Sequence, residues 1–169
     1  VSFDGIVLAG GASRRMGRHK PALRIGDRTL LDVARAALAG AQRTVVVGPE
    51  GDLVEDPPGE GPVAALVAGL ALLHAPIVVV LAADLPFVTA DAVARLVAAA
   101  PAVAVDSDGR DQHLLAAYPT ERLRAALTGR RMREVTAALS PARLALPGHP
   151  PPWWDCDTAA DLARARMWS

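Results

Sequence analysis

The chain has 169 residues, 51% hydrophobic and 4% aromatic, with 18 Lys and Arg balancing 18 Asp and Glu. That length suits one domain with one substantial core, spanning residues 1–169, and the zero net charge lacks the basic excess of a sequence-independent nucleic-acid binder. No apolar run nears the roughly 20 residues of a membrane span, no basic segment leads into a secretory-type apolar run, and a lone Cys156 forms no internal disulfide; the expectation is a soluble, cytoplasmic chain with no nucleic-acid or membrane partner.

Asp4 to Ala9 is a short apolar run with a β-branched centre, read as a buried strand that ends at Gly10-Gly11. Residues 30–39 place apolar groups at helical spacing and stop at Gly40. Thr44 to Val47 is a second strand, closed by Gly48-Pro49. Residues 55–62 carry the densest turn signals in the chain. A helix is predicted over 63–74 and a central strand over Ile77 to Ala82. Thr89 is the predicted N-cap of the next helix. Ala102 to Val105 and Leu114 to Tyr118 read as strands, and 120–139 as two short helices broken near Gly129. A proline-rich loop over 147–152 leads to Trp153-Trp154, read as packing residues rather than a stacking platform. Thr158, with Asp161 three positions on, predicts a capping box for a last helix.

Strand and helix alternate, so the predicted fold class is α/β: a three-layer α/β/α Rossmann-like sandwich around a mostly parallel sheet. Such sheets bind ligands beyond the carboxyl ends of their strands. Gly10, Gly48, Asp84 and Asp106 all follow apolar strands, which puts them on that edge.

The segment from Leu8 to Lys20 carries the strongest chemistry. A strand running into Gly10-Gly11 turns sharply and presents bare N–H groups, a concavity suited to a phosphate chain. Arg15 and Lys20 would neutralise a triphosphate, Arg by bidentate contact and Lys as a point charge. The segment is neither a Walker A loop nor a G-x-G-x-x-G fingerprint. A bare Gly-Gly would be an ordinary turn, but four Lys or Arg residues crowd the nine positions after it. Asp84, at a strand end with Pro86 fixing the next turn, suits a Mg²⁺ ligand, because Mg²⁺ takes one or two carboxylates plus phosphate oxygens and water; taken in isolation, a turn or helix-capping aspartate is the stronger reading. Asp155 and Asp157, two apart on a predicted strand end, point to one side and can both approach that metal. If the chain has already turned there, Asp157 instead supports the start of the last helix.

Leu8, Ala9, Gly10, Gly11, Arg15, Met16, Gly17 and Lys20 resemble, in register, the L-A-G-G-x-x-x-R-M-G-x-x-K signature of the molybdenum cofactor guanylyltransferases, whose fold is nucleotide-diphospho-sugar transferase-like. The resemblance extends from about Asp4 to Leu162, so residues 1–169 read as a single nucleotidyltransferase domain. It implies transfer of GMP from GTP to a terminal phosphate of molybdopterin with Mg²⁺ as cofactor, and molybdoenzyme-maturation proteins as further partners. Lys20, Arg15 and Asp84 take the catalytic positions, and Leu8, Ala9, Gly10, Gly11, Arg15, Lys20, Asp56 and Asp84 the nucleotide-binding ones. Asp84, with Asp155 or Asp157, is the metal set. Asp56, ahead of Gly61-Pro62, resembles the family's acid in the nucleotide site; an acidic turn before a helix reads equally well from spacing. Ala83 replaces the family's cysteine before Asp84, and Ala65 replaces a glycine.

On the acceptor side the resemblance points to His113, Arg130 and Arg131. Gln112-His113 stands for the usual His-Pro, and an exposed basic helix face reads as well for the two arginines. Gly48 stands near a position where relatives carry an Asn, which makes any nucleotide contact there a backbone one. The alternatives are a cytidylyltransferase or another NTP transferase with a different phosphorylated acceptor, and a nucleotide-binding regulator without catalysis. Ala9-Gly10-Gly11, where CTP-selective relatives carry A-A-G, favours the purine.

Overall fold

The computed structural model describes residues 1–10, 22–49, 51–53, 61–128 and 131–169. In chain order these form β1 (Phe3–Leu8), β2 (Arg24–Ile25), β3 (Arg28–Thr29), α1 (Leu30–Ala37), β4 (Thr44–Val47), α2 (Pro62–Leu70), β5 (Ile77–Ala82), α3 (Ala90–Ala98), β6 (Ala102–Val105), β7 (Asp111–Pro119), α4 (Thr120–Ala126), α5 (Met132–Leu139), β8 (Ala142–Leu144) and α6 (Ala159–Trp168). Among the described residues the main sheet has the order β4-β1-β5-β7-β6-β8. β1 pairs parallel with β4 and β5, β6 with β8, and β7 runs antiparallel to both its neighbours. The predicted mostly parallel sheet is what forms.

Alternation within the strands builds the three layers. Val7, Val79 and Leu81 point to the face covered by α1 and α3, where Val33, Ala34, Val93 and Leu96 are buried. Ile6, Leu8, Val78 and Val80 point to the other face, against Leu66 and Leu70 of α2, Leu123 of α4 and Val135 of α5. Strands buried on both sides read as continuous apolar runs, which is why they were visible in the sequence. A smaller cluster joins Leu23, Ile25 and Leu30 to Cys156 of the late loop and to Leu162 and Ala165 of α6.

Helix α2 stops at Leu70, short of the predicted residue 74. Its continuation tightens into i→i+3 bonds, Leu72 N–H to Gly69 carbonyl and Leu73 N–H to Leu70 carbonyl. The next amides, those of His74 and Ala75, both donate at 2.9 Å to the Asp4 carboxylate, and Arg43 N–H donates to its other oxygen at 3.0 Å. Asp4 is only 3% exposed. It fastens the starts of β1, β4 and β5 together at the edge opposite the strand ends of interest, and the amides it claims are lost to the helix. Arg124 then donates to the Leu70 and Leu73 carbonyls, both at 2.7 Å, and caps the exposed end.

Candidate active site

β1, β4, β5 and β6 run parallel, so their carboxyl ends share one edge, where β7 begins. At its end β1 is gripped from both sides: Ala9 N–H donates to the Val47 carbonyl at 2.8 Å, and Ala83 N–H to the Leu8 carbonyl at 3.0 Å. Leu8 and Ala9 bury their side chains in opposite core layers, so they fix where the glycine loop departs. Gly10 is exposed there. Gly48 turns directly beside it with φ +144°, and a Cβ at that position would lie 2.4 Å from the Gly10 nitrogen. No side chain fits, because the backbone of Ala9 and Gly10 fills the space.

Next to Gly10, just past the end of the paired strand β5, Asp84 meets the segment before α6. One carboxylate oxygen from each of Asp84, Asp155 and Asp157 lies within 4.8 Å of the others. The segment is not a strand, contrary to the sequence expectation. The two aspartates nevertheless share a side, because Cys156 N–H donates to the Asp84 carbonyl at 2.9 Å and the Cys156 side chain is 0% exposed. With the middle residue pinned inward, its neighbours face the edge. Asp157 also serves the helix: its N–H donates to Asp161 Oδ2 at 3.1 Å, beside the capping box that Asp161 makes with Thr158. Its backbone thus supports the start of the last helix, while its carboxylate lies with those of Asp84 and Asp155.

Burial raises the Asp155 carboxyl to about 6, and the negative charges of Asp157 and Asp84 add to the shift. Crowded like charges are what a bound cation would relieve. The donors are all carboxylate oxygens, the hard set a divalent cation of the Mg²⁺ class prefers. Mg²⁺ holds oxygens at about 2.0–2.1 Å, hence neighbouring ligand oxygens about 3 Å apart. Small rotations bring three oxygens that already lie within 4.8 Å to that spacing. The group fits such an ion.

Beyond β6, Asp106 organises a tight loop: its Oδ1 accepts from the N–H groups of Asp108 and Arg110 at 2.9 Å, and its Oδ2 from Gln112 Nε2 at 3.1 Å. The β6–β7 register shifts between Val103 and Ala104, so Ala104 pairs with Gln112. The irregularity turns His113 toward α5, where its Nδ1 lies 2.9 Å from Thr136 Oγ1. Tyr118 Oη contacts the same hydroxyl at 3.2 Å. Burial lowers the His113 pKa, with Asp111 opposing the shift. Arg131 is exposed at the start of α5, its N–H donating to Glu134 at 2.9 Å. Trp153 packs against the α1–α3 layer and Trp154 joins Phe87, as the packing reading anticipated.

Gly11, Arg15, Lys20, Asp56 and Arg130 lie outside the described residues. What sequence reasoning missed are the positioning groups: Thr136 behind His113, Asp161 behind Asp157, and the backbone bond from Cys156 to Asp84. The Thr158–Asp161 spacing was a signal for the second of these; the other two depend on contacts distant in sequence.

Residues 5–144 match the family model described as the MobA-like NTP transferase domain. The chain is 38% identical, over 186 aligned positions, to the molybdenum cofactor guanylyltransferase of Rhodobacter capsulatus, with 98% of this chain and 95% of that protein covered. Among solved structures, molybdopterin-guanine dinucleotide biosynthesis protein A from Archaeoglobus fulgidus is similar with a TM-score of 0.71 at 23% identity, covering 98% of this chain and 97% of that one. The 2-C-methyl-D-erythritol 4-phosphate cytidylyltransferase from Thermus thermophilus has a TM-score of 0.68 at 21% identity, covering 99% and 98%. At these identities the structural likenesses concern the fold alone. No helix among the described residues is long and apolar enough to cross a membrane.

Proposed function

This chain belongs to the MobA-like NTP transferase family and is a nucleotidyltransferase; we propose that it moves GMP from GTP to the terminal phosphate of molybdopterin. The observation that carries this reading is the meeting of Asp84, Asp155 and Asp157 at the strand edge where β1 ends at Gly10. A phosphate oxygen of the acceptor attacks the α-phosphorus of GTP, the bond to the β-phosphate oxygen breaks, and pyrophosphate leaves. The nucleophile is already ionised at neutral pH, so no protein base is needed, and the residues must position groups and neutralise charge.

In this reading Gly10 and Gly11 present backbone N–H groups to the phosphates, and Arg15 and Lys20 hold the charge of the departing pyrophosphate. Asp56 would contact the nucleoside. Leu8 and Ala9 act by fixing the loop's origin. Asp84, Asp155 and Asp157 would hold Mg²⁺, which when bound would draw charge from the α-phosphate. Arg130 and Arg131 would receive acceptor phosphate, with His113 keeping α5 and its Arg131 against the sheet through Thr136. Residues 1–169 would act as one nucleotidyltransferase domain, and molybdoenzyme-maturation proteins would collect the product.

Titration with GTP, CTP, ATP and UTP in the presence of Mg²⁺, on wild type and Lys20→Ala, tests the reading. Selective GTP binding that weakens in the variant supports it. A preference for CTP keeps the mechanism and moves the product, and no NTP binding contradicts it. Replacement of Asp84 by Ala should lower turnover about 10²–10³-fold, the usual cost of losing one preorganised electrostatic partner; turnover within a few-fold of wild type would refute its metal role.

A further inference from the structure

We infer that Trp168, at the end of α6, is a positioning residue for the carboxylate site: it clamps the two segments that carry Asp84 and Asp155–Asp157. The inference rests on the cation site proposed above. Phe87 stands three residues after Asp84, and Trp154 directly precedes Asp155. Their ring centroids are 5.8 Å apart. Trp168 closes the triangle, 5.9 Å from Phe87 and 5.4 Å from Trp154, the latter edge to face. Each separation lies in the range where aromatic pairs attract beyond their burial.

Helix α6 thus grips both ends of the segment. Its first turn holds Asp157 N–H through Asp161, and its last turn lays Trp168 on Trp154. The helix itself is seated by Leu162 and Ala165 and by Arg166, whose Nε donates to the Arg24 carbonyl at 3.2 Å. Met167, one residue earlier, is 84% exposed, whereas Trp168 is 44% exposed. The end of α6 is therefore not generally buried, and the indole is specifically turned onto the two rings.

Three carboxylates this close repel each other, and a slack scaffold would let them spread until a cation gathered them again. A clamp that holds the segments together removes that cost from binding, as outer groups that orient metal ligands do. Loss of the clamp should weaken cation binding without removing any ligand.

The test is Mn²⁺ titration of the nucleotide-free protein, read by loss of the free-ion electron paramagnetic resonance signal, with thermal unfolding of each variant beside it. Asp84→Asn should abolish the saturable site. Trp168→Ala should bind about tenfold more weakly, at the lower end of the range for displaced outer-shell partners, and Trp168→Phe should recover most of the loss. If Trp168→Ala does not fold, Trp168→Leu, apolar without a ring, is read in the same way. Wild-type affinity in Trp168→Ala, even with a lower unfolding temperature, overturns the clamp and leaves the site standing. No saturable binding by wild type, or unchanged binding in Asp84→Asn, overturns the site reading and this inference with it.

Discussion

Between neutral pH and pH 5 the protonation of Asp155 should change, because burial and two neighbouring carboxylates raise its pKa to about 6. The folded protein then holds a proton that the unfolded chain, with a carboxyl near 3.8, has already released. Without divalent cations, stability should therefore rise as pH falls through 6 and level off near the unfolded value. A bound cation competes with that proton, so cation affinity should fall over the same interval. Thermal unfolding across this range should show stability rising as pH falls with EDTA and a nearly flat profile with excess Mg²⁺, which keeps the folded carboxylate unprotonated; parallel curves would contradict the shared site. Gly48 is as tightly constrained by sterics: Gly48→Ala pushes a Cβ onto the Gly10 nitrogen and should cost about 1–3 kcal/mol in urea unfolding. At this scale the sequence displayed the charged groups but not their supports. Asp155 and Asp157 stood out by their spacing, while the bond that aims them runs from Cys156 to Asp84, across more than seventy positions.

Element α6 combines two duties, closing the small apolar cluster and holding the carboxylate segment. Asp161→Ala removes the reciprocal half of its capping box and the acceptor for Asp157 N–H, and should cost about 0.5–2 kcal/mol of stability. The same variant should also weaken cation binding, which calorimetric titration with Mn²⁺ would detect. Lower stability with unchanged affinity would confine Asp161 to the cap. Long apolar runs and capping residues made β1, β4, β5, α3 and α6 readable, since both signals are local. β2, β3 and β8 span two or three residues, too few for any periodicity. The end of α2 was hidden for the opposite reason, because the carboxylate that claims the next amides belongs to Asp4, seventy residues earlier. The antiparallel course of β7 did have a signal: the link from Val105 to Asp111 is too short for a parallel crossover, and Asp106 and Gly109 are turn residues.

For the whole molecule, the sheet order places Gly10, Gly48 and the Asp84 group on one edge and reserves the other for the Asp4 fastening. Alternating strand and helix sufficed to foresee that edge, because parallel strands gather their carboxyl ends there. Which nucleoside the edge accepts was not legible in the fold, which a cytidylyltransferase shares at a TM-score of 0.68. That distinction belongs to side chains near the base and acceptor, so chemistry must decide it. The most direct measurement is pyrophosphate release from purified protein given molybdopterin and Mg²⁺ with each NTP in turn. Release is expected with GTP and should stop when molybdopterin or Mg²⁺ is withheld, with molybdopterin guanine dinucleotide as the other product. Absence of release with GTP under complete conditions, or release that persists without the acceptor, would contradict it.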